Sequence, residues 1–268
     1  MPEPLIRLED LAVRFADPHR PGGAVRAVDG VSLAIAPGEI LGLVGESGSG
    51  KTTLGKTLLR LHEPAAGRIL LHGRDIAHLG EAALRPHRRA MQMVFQDPLS
   101  SFNPRRTVGE AIATPLLLHR LCSRAEAPAR VAQMLDRVGL PAGFAQRYPH
   151  QLSGGQLQRA AIGRALALSP ALIVADEAVS KLDVSVRAQI LNLLRAVQAQ
   201  DGLAMLFITH DLHVARFLCH RIGVMHLGKL LEIGPTERIF TAPAHDYTRA
   251  LIGTLHGIGA RKHDRSPA

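Results

Sequence analysis

Hydrophobic positions in the first fifteen residues alternate loosely, with Leu5, Ile6, Leu8, Leu11, Val13 and Phe15 set among polar and charged neighbours. A period near two predicts a half-buried β-strand. Pro21-Gly22-Gly23 interrupts it with a turn, and AVRAVDGVSLAI (24–35) resumes a strand-like pattern. After a second turn at Pro37-Gly38, EILGLVG (39–45) is a short apolar run bounded by glycines. A parallel strand buried on both faces reads that way. The period then changes. In KTTLGKTLLRLH (51–62), Leu54, Leu58 and Leu61 recur at helical spacing until Pro64 and Gly67 stop them. GRILLHGRDI (67–76) predicts further strand.

From about residue 97 to 165 strand-like runs vanish, and Pro98, Pro104, Pro115, Pro128, Pro141 and Pro149 punctuate short helical patterns. In RVAQMLDRVGL, Val131, Met134, Leu135 and Val138 form one helical face. Apolar strands return in ALIVAD (171–176), AMLFIT (204–209) and IGVMHLGKLLEI (222–233), with helices between them. Alternation of this kind predicts an α/β fold around a parallel sheet. The expected organisation is one domain over 1–240, with its core in 1–96 and 166–240 and a helical insert at 97–165. Residues 241–268 form a mostly helical appendix with a basic tail at Arg261, Lys262 and Arg265. No repeat of 20–50 residues and no low-complexity segment interrupts this plan.

Hydrophobic residues make up 46% of the 268 and charged residues 21%, a globular balance that can fill a core. The formal charge of +9 leaves nucleic acid, phosphorylated ligands and anionic membranes open as partners. With no Trp, two Tyr and seven Phe, the chain is poorly equipped to stack bases, so no nucleic-acid partner is expected. Cys122 and Cys219 form no C-x-x-C pair and cannot build a disulfide framework, which favours a reducing cytosol. The opening residues carry Glu and Asp early and predict no export signal. No run approaches the ~18 apolar residues of a membrane span. Work at a membrane is therefore expected from its soluble side.

The strongest chemical signal is Gly45-Glu46-Ser47-Gly48-Ser49-Gly50-Lys51-Thr52, a complete G-x-x-x-x-G-K-[ST] loop between a predicted strand and a predicted helix. Glycines let backbone N–H groups turn inward around phosphate oxygens, and a helix N-terminus adds partial positive charge. Lys51 is placed as a point charge for β- and γ-phosphates, and the Thr52 hydroxyl as a ligand for Mg²⁺. ALIVAD followed by Glu177 supplies the acidic strand end that such a site needs. Asp176 is positioned for the magnesium shell and Glu177, one residue on, for polarising the attacking water.

Leu152-Ser153-Gly154-Gly155-Gln156 is the signature pentapeptide of ABC-type ATPases, and the chain resembles that family from roughly residue 4 to 254. Other motifs stand in the family's order. Gln96 in VFQDP matches the Q-loop, Ser180-Lys181-Leu182-Asp183 the D-loop, and His210 in ITHD the switch histidine. The resemblance implies a P-loop NTPase parallel-sheet core with an antiparallel β portion and an inserted α-helical subdomain. It implies ATP and Mg²⁺ as ligands. Nucleotide contacts fall to Phe15, stacking on adenine, to the loop from Gly45 to Thr52 with Thr53, and to Gln96. Thr52, Gln96 and Asp176 are the implied metal ligands, and Glu177 and His210 the catalytic pair. Ser153 and the paired glycines form a second anion cradle, which the spacing puts on the helical insert, away from the phosphate loop. In the family that cradle closes on ATP held by a facing subunit. Ser153, Gly154, Gly155, Gln156 and Asp183 are then expected to contact the partner's ATP in a homodimer or paralogous heterodimer.

Two further stretches resemble the peptide/nickel importer branch. One is MVFQDPLSSFNPRRTVGEAI, and the other the tail IFTAPAHDYTRALI, where Asp246 replaces the Pro of the similar His-Pro-Tyr-Thr-Arg-Ala-Leu pattern. That branch implies ATP-driven import of di- or oligopeptides through separate membrane permease subunits, supplied by an extracytoplasmic solute-binding protein. The chain would sit peripherally on the cytoplasmic face of the inner membrane. A groove between Gln96 and the insert would receive a short permease helix. QLQR and DEAVS also fit nickel-type members, so a nickel or metal-chelate importer stays open, as does a soluble component of the carbon–phosphorus lyase system. Lys51 and Ser153 lie 102 residues apart, too close for the long coiled coils of chromosome-maintenance members. Lys181 departs from the small residue usual in the D-loop. It is either a surface lysine in water, a contact to a different facing subunit, or a mark of an engineered or degenerate site. His210-x-x-His213 and Cys219-His220 are not metal-site spacings, and no nickel ligation is read into this chain.

Overall fold

The computed structural model describes residues 3–16 and 23–260, with side chains through residue 254. Arg261, Lys262 and Arg265 of the basic tail and Pro21-Gly22 of the first turn lie outside the described residues. The elements run β1 (Ile6–Ala16), β2 (Ala24–Ile35), β3 (Ile40–Val44), α1 (Lys51–Leu58), β4 (Ala66–Leu71), β5 (Arg74–Asp75), α2 (Glu81–Ala90) and β6 (Met91–Val94). The helical stretch follows as α3 (Val108–Leu118), α4 (Ala127–Arg137) and α5 (Gly154–Leu166). Then come β7 (Leu172–Asp176), α6 (Val184–Asp201), β8 (Ala204–Ile208), α7 (Leu212–Leu218), β9 (Arg221–His226), β10 (Lys229–Pro235), α8 (Thr236–Thr241) and α9 (Asp246–Ala260).

The chain divides into two compact units. One comprises Met1–Leu5, Ala36–Gly38 and His78–Leu206, and the other Ile6–Ile35, Glu39–Ala77 and Phe207–Ala268. They are called here the signature unit and the phosphate-loop unit, after the motif each contains. One of the boundaries, between Leu206 and Phe207, falls inside β8.

In the phosphate-loop unit, an antiparallel sheet has the order β2-β1-β4-β5. Ile6, Leu8, Leu11 and Val13 of β1 are buried, as their alternation predicts. The pattern is loose for a reason. At Asp10 the backbone is left-handed (φ 46°), and the register with β2 shifts between Leu8 and Leu11. A bulge of this kind puts two inward residues three positions apart. The unit's second set of strands has β3 parallel to β9, with Val44 opposite Val224, and β9 antiparallel to β10. All five residues of β3 are buried.

In the signature unit, β6 and β7 pair in parallel, with Val94 opposite Ala175. The Ala204 N–H at the start of β8 donates to the Ala171 C=O at 3.0 Å. Helices α3, α4 and α5 pack on one another around Val108, Ile112, Val131, Leu135 and Ile162. Thr107 starts α3 through a capping box with Glu110, which satisfies two N–H groups that the helix cannot. The apolar pattern predicts no element over 78–94, where α2 and β6 lie. Pro86 sits inside α2 and β6 has only four residues, so neither offers a usable period. Among the described residues no helix is long and apolar enough to cross a membrane.

Candidate nucleotide site

The phosphate loop leaves β3 at Gly45, where a side chain has no room. A Cβ there would lie 2.1 Å from the Met225 carbonyl oxygen. Gly48, at φ 78°, faces the opposite situation, with nothing within 4 Å of a built Cβ. The loop is thus pressed against β9 at its base and open at its crest. Lys51 closes it. Its ammonium donates to the Gly45 C=O at 2.8 Å, the Glu46 C=O at 2.7 Å and the Ser49 hydroxyl at 3.0 Å, while only 5% exposed. This buried cation stands at the N-terminus of α1, where backbone N–H groups lack helical partners. Cation, dipole and open crest fit a polyphosphate. The side-chain oxygens of Thr52, Gln96 and Asp176 are hard donors of the kind magnesium prefers.

Two other candidates belong to this unit. Phe15, near the end of β1, is 41% exposed, which leaves ring surface available for stacking. Its edge meets His62 at 5.4 Å and 81°. Partial burial, helped by Lys56, holds His62 below its ordinary value, towards the neutral ring. His210 is exposed just beyond β8. The segment around it is pinned. The Thr209 hydroxyl accepts from the Asp211 N–H at 3.0 Å, and the Asp211 carboxylate caps α7 through the His213 and Val214 N–H groups.

The signature unit carries the rest. Asp176 ends β7 and is 5% exposed. At Glu177 the chain turns left-handed (φ 45°), a conformation that costs a non-glycine residue roughly 1–2 kcal/mol. The turn is held by Ser180, whose N–H and hydroxyl both donate to the Glu177 C=O, at 3.1 and 3.0 Å. The side chain is held from elsewhere. Gln96 Nε2 donates to Glu177 Oε2 at 2.6 Å, joining residues 81 positions apart. Sequence reading places each of these residues at a nucleotide but gives no hint of the bond between them.

Ser153 caps α5. Its hydroxyl accepts from the Gln156 N–H at 3.3 Å, and Gln156 Oε1 accepts from the Ser153 N–H at 3.0 Å. Both side chains are therefore occupied in building the helix start. Gly155 also has an internal role, since a Cβ there would lie 2.4 Å from Val186 Cγ1 on α6. Gly154 meets only Leu182, at an ordinary 3.7 Å. Asp183 is exposed at the N-cap of α6 and makes no side-chain cap bond. Lys181 is exposed too. It borders a cleft of about 390 Å³ lined by Gln96, Leu99, His150, Leu157 and Gln158 as well. The Gln158 amide nitrogen is buried there without a hydrogen bond.

The profile of the ABC transporter family matches residues 28–180, more than half of the chain. The chain belongs to the ABC transporter family. It is 49% identical over 259 residues to the glutathione import ATP-binding protein GsiA of Pectobacterium atrosepticum and, equally, to that of Escherichia coli strain K12. Each match covers 94% of this chain and 41% of the relative, so the chain spans about two fifths of the length of these curated relatives. Among solved structures, the dimeric ATP-binding cassette MJ0796, in a post-hydrolysis state bound to ADP and Pi, superposes with a TM-score of 0.78. That pair shares 31% identity over 86% of this chain and 98% of that one. CbiO1 from Clostridium perfringens, part of the ABC transporter complex cbiONQ, gives 0.79 at 25% identity, covering 97% and 99%.

As an ABC cassette, the chain has the expected α/β fold with its antiparallel portion and helical insert. Its site residues divide between the two units. Phe15, Gly45 to Thr53 and His210 belong to the phosphate-loop unit, and Gln96, Ser153 to Gln156, Asp176, Glu177 and Asp183 to the signature unit. Tyr247 was not among the candidates. It lies on α9 beside the phosphate-loop residue Glu46. The only signal for it in the sequence is the tail motif, which marks a branch and names no role.

Proposed function

We propose that this chain is the ATP-hydrolysing subunit of an importer that moves small peptides through separate membrane permease subunits. The observation that carries the reading is the phosphate loop closed on the buried Lys51 ammonium. The peptide assignment rests on the glutathione import ATP-binding relatives, glutathione being a tripeptide. One domain spans 1–240, with the insert at 97–165 carrying the signature and 241–268 as an appendix.

Within this reading Lys51 gives up loop carbonyls for the β- and γ-phosphate oxygens, exchanging neutral acceptors for charged ones. Phe15 stacks on adenine. Thr52, Gln96 and Asp176 would hold Mg²⁺, which when bound would neutralise charge on the phosphates. Glu177, steered by the Gln96 amide, orients the attacking water as general base. His210 contacts the γ-phosphate. The N–H groups at Gly154 and Gly155, with Ser153, Gln156 and Asp183, face ATP held by a second cassette, identical or paralogous. Loss of γ-phosphate removes what holds the pair closed, and the dimer opens. The cleft beside Gln96 receives a permease helix on the cytoplasmic face of the inner membrane, and a solute-binding protein delivers cargo from the other side.

The test is co-reconstitution with the permease subunits in proteoliposomes. ATP-dependent uptake of labelled glutathione or dipeptide, lost in Lys51→Ala, is the expected result. Uptake of nickel in place of peptide would overturn the cargo, and absence of ATP hydrolysis by the assembled complex would overturn the whole reading.

A further inference from the structure

Within the phosphate-loop unit, helix α9 is fastened at its N-terminal end. Glu232 on β10 accepts from the Ala244 N–H at 2.8 Å and the His245 N–H at 3.1 Å, tying down the segment that leads into the helix. Burial opposes the charge of Glu232, but these N–H groups, helped by the Arg238 cation, outweigh it and hold the carboxyl below the ordinary range. The Tyr247 N–H donates to His245 Nδ1 at 3.1 Å, closing the first turn. The Tyr247 ring then packs on the His226 ring, with centroids 4.2 Å apart. Thr248 and Ile252 bury the same side of the helix.

His226 is the last residue of β9, and the turn that follows it is the back wall of the phosphate loop. Gly228 N–H donates to the Ser49 C=O at 3.0 Å, and Gly228 C=O accepts from the Asp29 N–H at 2.9 Å. The Met225 carbonyl is the group that excludes a side chain at Gly45. The appendix therefore leans on the hairpin that the loop leans on. It also reaches the loop directly. The Tyr247 hydroxyl is buried and makes no hydrogen bond of ordinary geometry, yet both the backbone N–H and the carboxylate of Glu46 lie beside it. Burial and that carboxylate push the phenol up, against the smaller downward pull of the Glu46 N–H. A buried hydroxyl with an unmade bond favours any rearrangement that makes one. The Glu46 C=O accepts from the Lys51 ammonium at 2.7 Å.

We propose that Tyr247 is a positioning residue for the phosphate loop: its ring braces the β9–β10 turn, and its hydroxyl bonds to Glu46 once Lys51 turns to phosphate. The second half rests on nucleotide binding by the loop as proposed above, whereas the bracing half does not. A hydroxyl bonded only in the nucleotide-bound form stabilises that form selectively. The appendix thereby acts on ATP affinity without touching ATP.

Two Tyr247 variants of the full chain separate these parts. Tyr247→Phe keeps the ring and removes the hydroxyl. It is expected to weaken ATP binding about three- to tenfold by calorimetry and to raise KM in proportion, with kcat unchanged within about twofold. Combined with Glu46→Gln, its effect is expected to be smaller than in the parent chain, because the two groups share one bond. Asp246→Ala, on the same turn but with a carboxylate that is 93% exposed and pairs with Arg249, away from Glu46 and His226, serves as the control and is expected to change nothing. Tyr247→Ala also removes the ring, and amides of Gly45 to Ser49 are expected to exchange hydrogen faster in the nucleotide-free chain, while those of α5 do not. Unchanged affinity in Tyr247→Phe, or full additivity with Glu46→Gln, overturns the bond to Glu46. Unchanged exchange in Tyr247→Ala overturns the brace. A parent chain that binds no ATP instead defeats the nucleotide reading, and the exchange measurement still decides the brace.

Discussion

At the phosphate loop, the N-terminus of α1 carries its own cation, buried and already ringed by three oxygens. At the signature segment, the N-terminus of α5 begins Gly-Gly-Gln-Leu, with no charge in the first turn, and its two polar side chains are spent on a capping box. Both are helix starts opened by glycine, and both offer backbone dipoles to an anion. They differ in what they can do alone. A charge-assisted contact is roughly twice as strong as a neutral one, so in the proposed function the first cradle captures the polyphosphate and the second completes a site that another group holds. Their glycines differ in the same sense. Gly48 opens onto space, whereas Gly155 is packed on Val186 of its own chain.

The largest expected effect tests where chemistry ends and closure begins. Glu177→Gln keeps the Gln96 contact within reach but removes the proposed base, and turnover is expected to fall about 10²–10⁴-fold with ATP still bound. The two cradles are then held together, and size-exclusion chromatography with ATP is expected to show a stable dimer. Wild-type turnover in this variant would remove Glu177 from its role. Next is Gly154→Asp, chosen over Gly155 because only Gly154 has room within the chain for a side chain. A carboxylate facing phosphate costs several kcal/mol, roughly enough to abolish dimer formation and hydrolysis. ATP affinity of the isolated chain is expected to stay unchanged. Loss of that affinity would place both cradles on one nucleotide and end the contrast.

Lys51→Ala is the reciprocal lesion. Removing the buried ammonium is expected to weaken ATP binding by about 2–4 kcal/mol in calorimetry at fixed magnesium. Mixing it with Gly154→Asp is expected to restore one composite site and partial hydrolysis, if the chain pairs with itself. Phe15→Ala gives the smallest change. Its half-exposed ring is expected to contribute about 1–3 kcal/mol to nucleotide affinity, on the scale of base–aromatic stacking. No change would leave Phe15 as an edge residue packed on His62.

Much of the fold could be read locally. Strand β3 is a run of apolar residues between glycines, and α1 has leucines four residues apart, so each declares its period within a few positions. The phosphate loop is equally local, because Lys51 must reach only the carbonyls five and six residues before it. Other elements have no such period. Pro86 disguises α2, β6 is too short, and the bulge at Asp10 blurs the alternation of β1. The site shows the same division. The identities of Gln96 and Glu177 were legible as motif positions, while their hydrogen bond was not.

Local order thus carried the motifs, their succession and the class of ligand, since each depends on neighbours a few residues away. Tertiary structure alone decided which groups meet. The Gln96 amide on Glu177, Val186 against Gly155, and the appendix ring on His226 behind the phosphate loop join residues separated by 81, 31 and 21 positions. Contacts at such separations follow from how strands and helices pack, and periodicity along the chain carries no record of them.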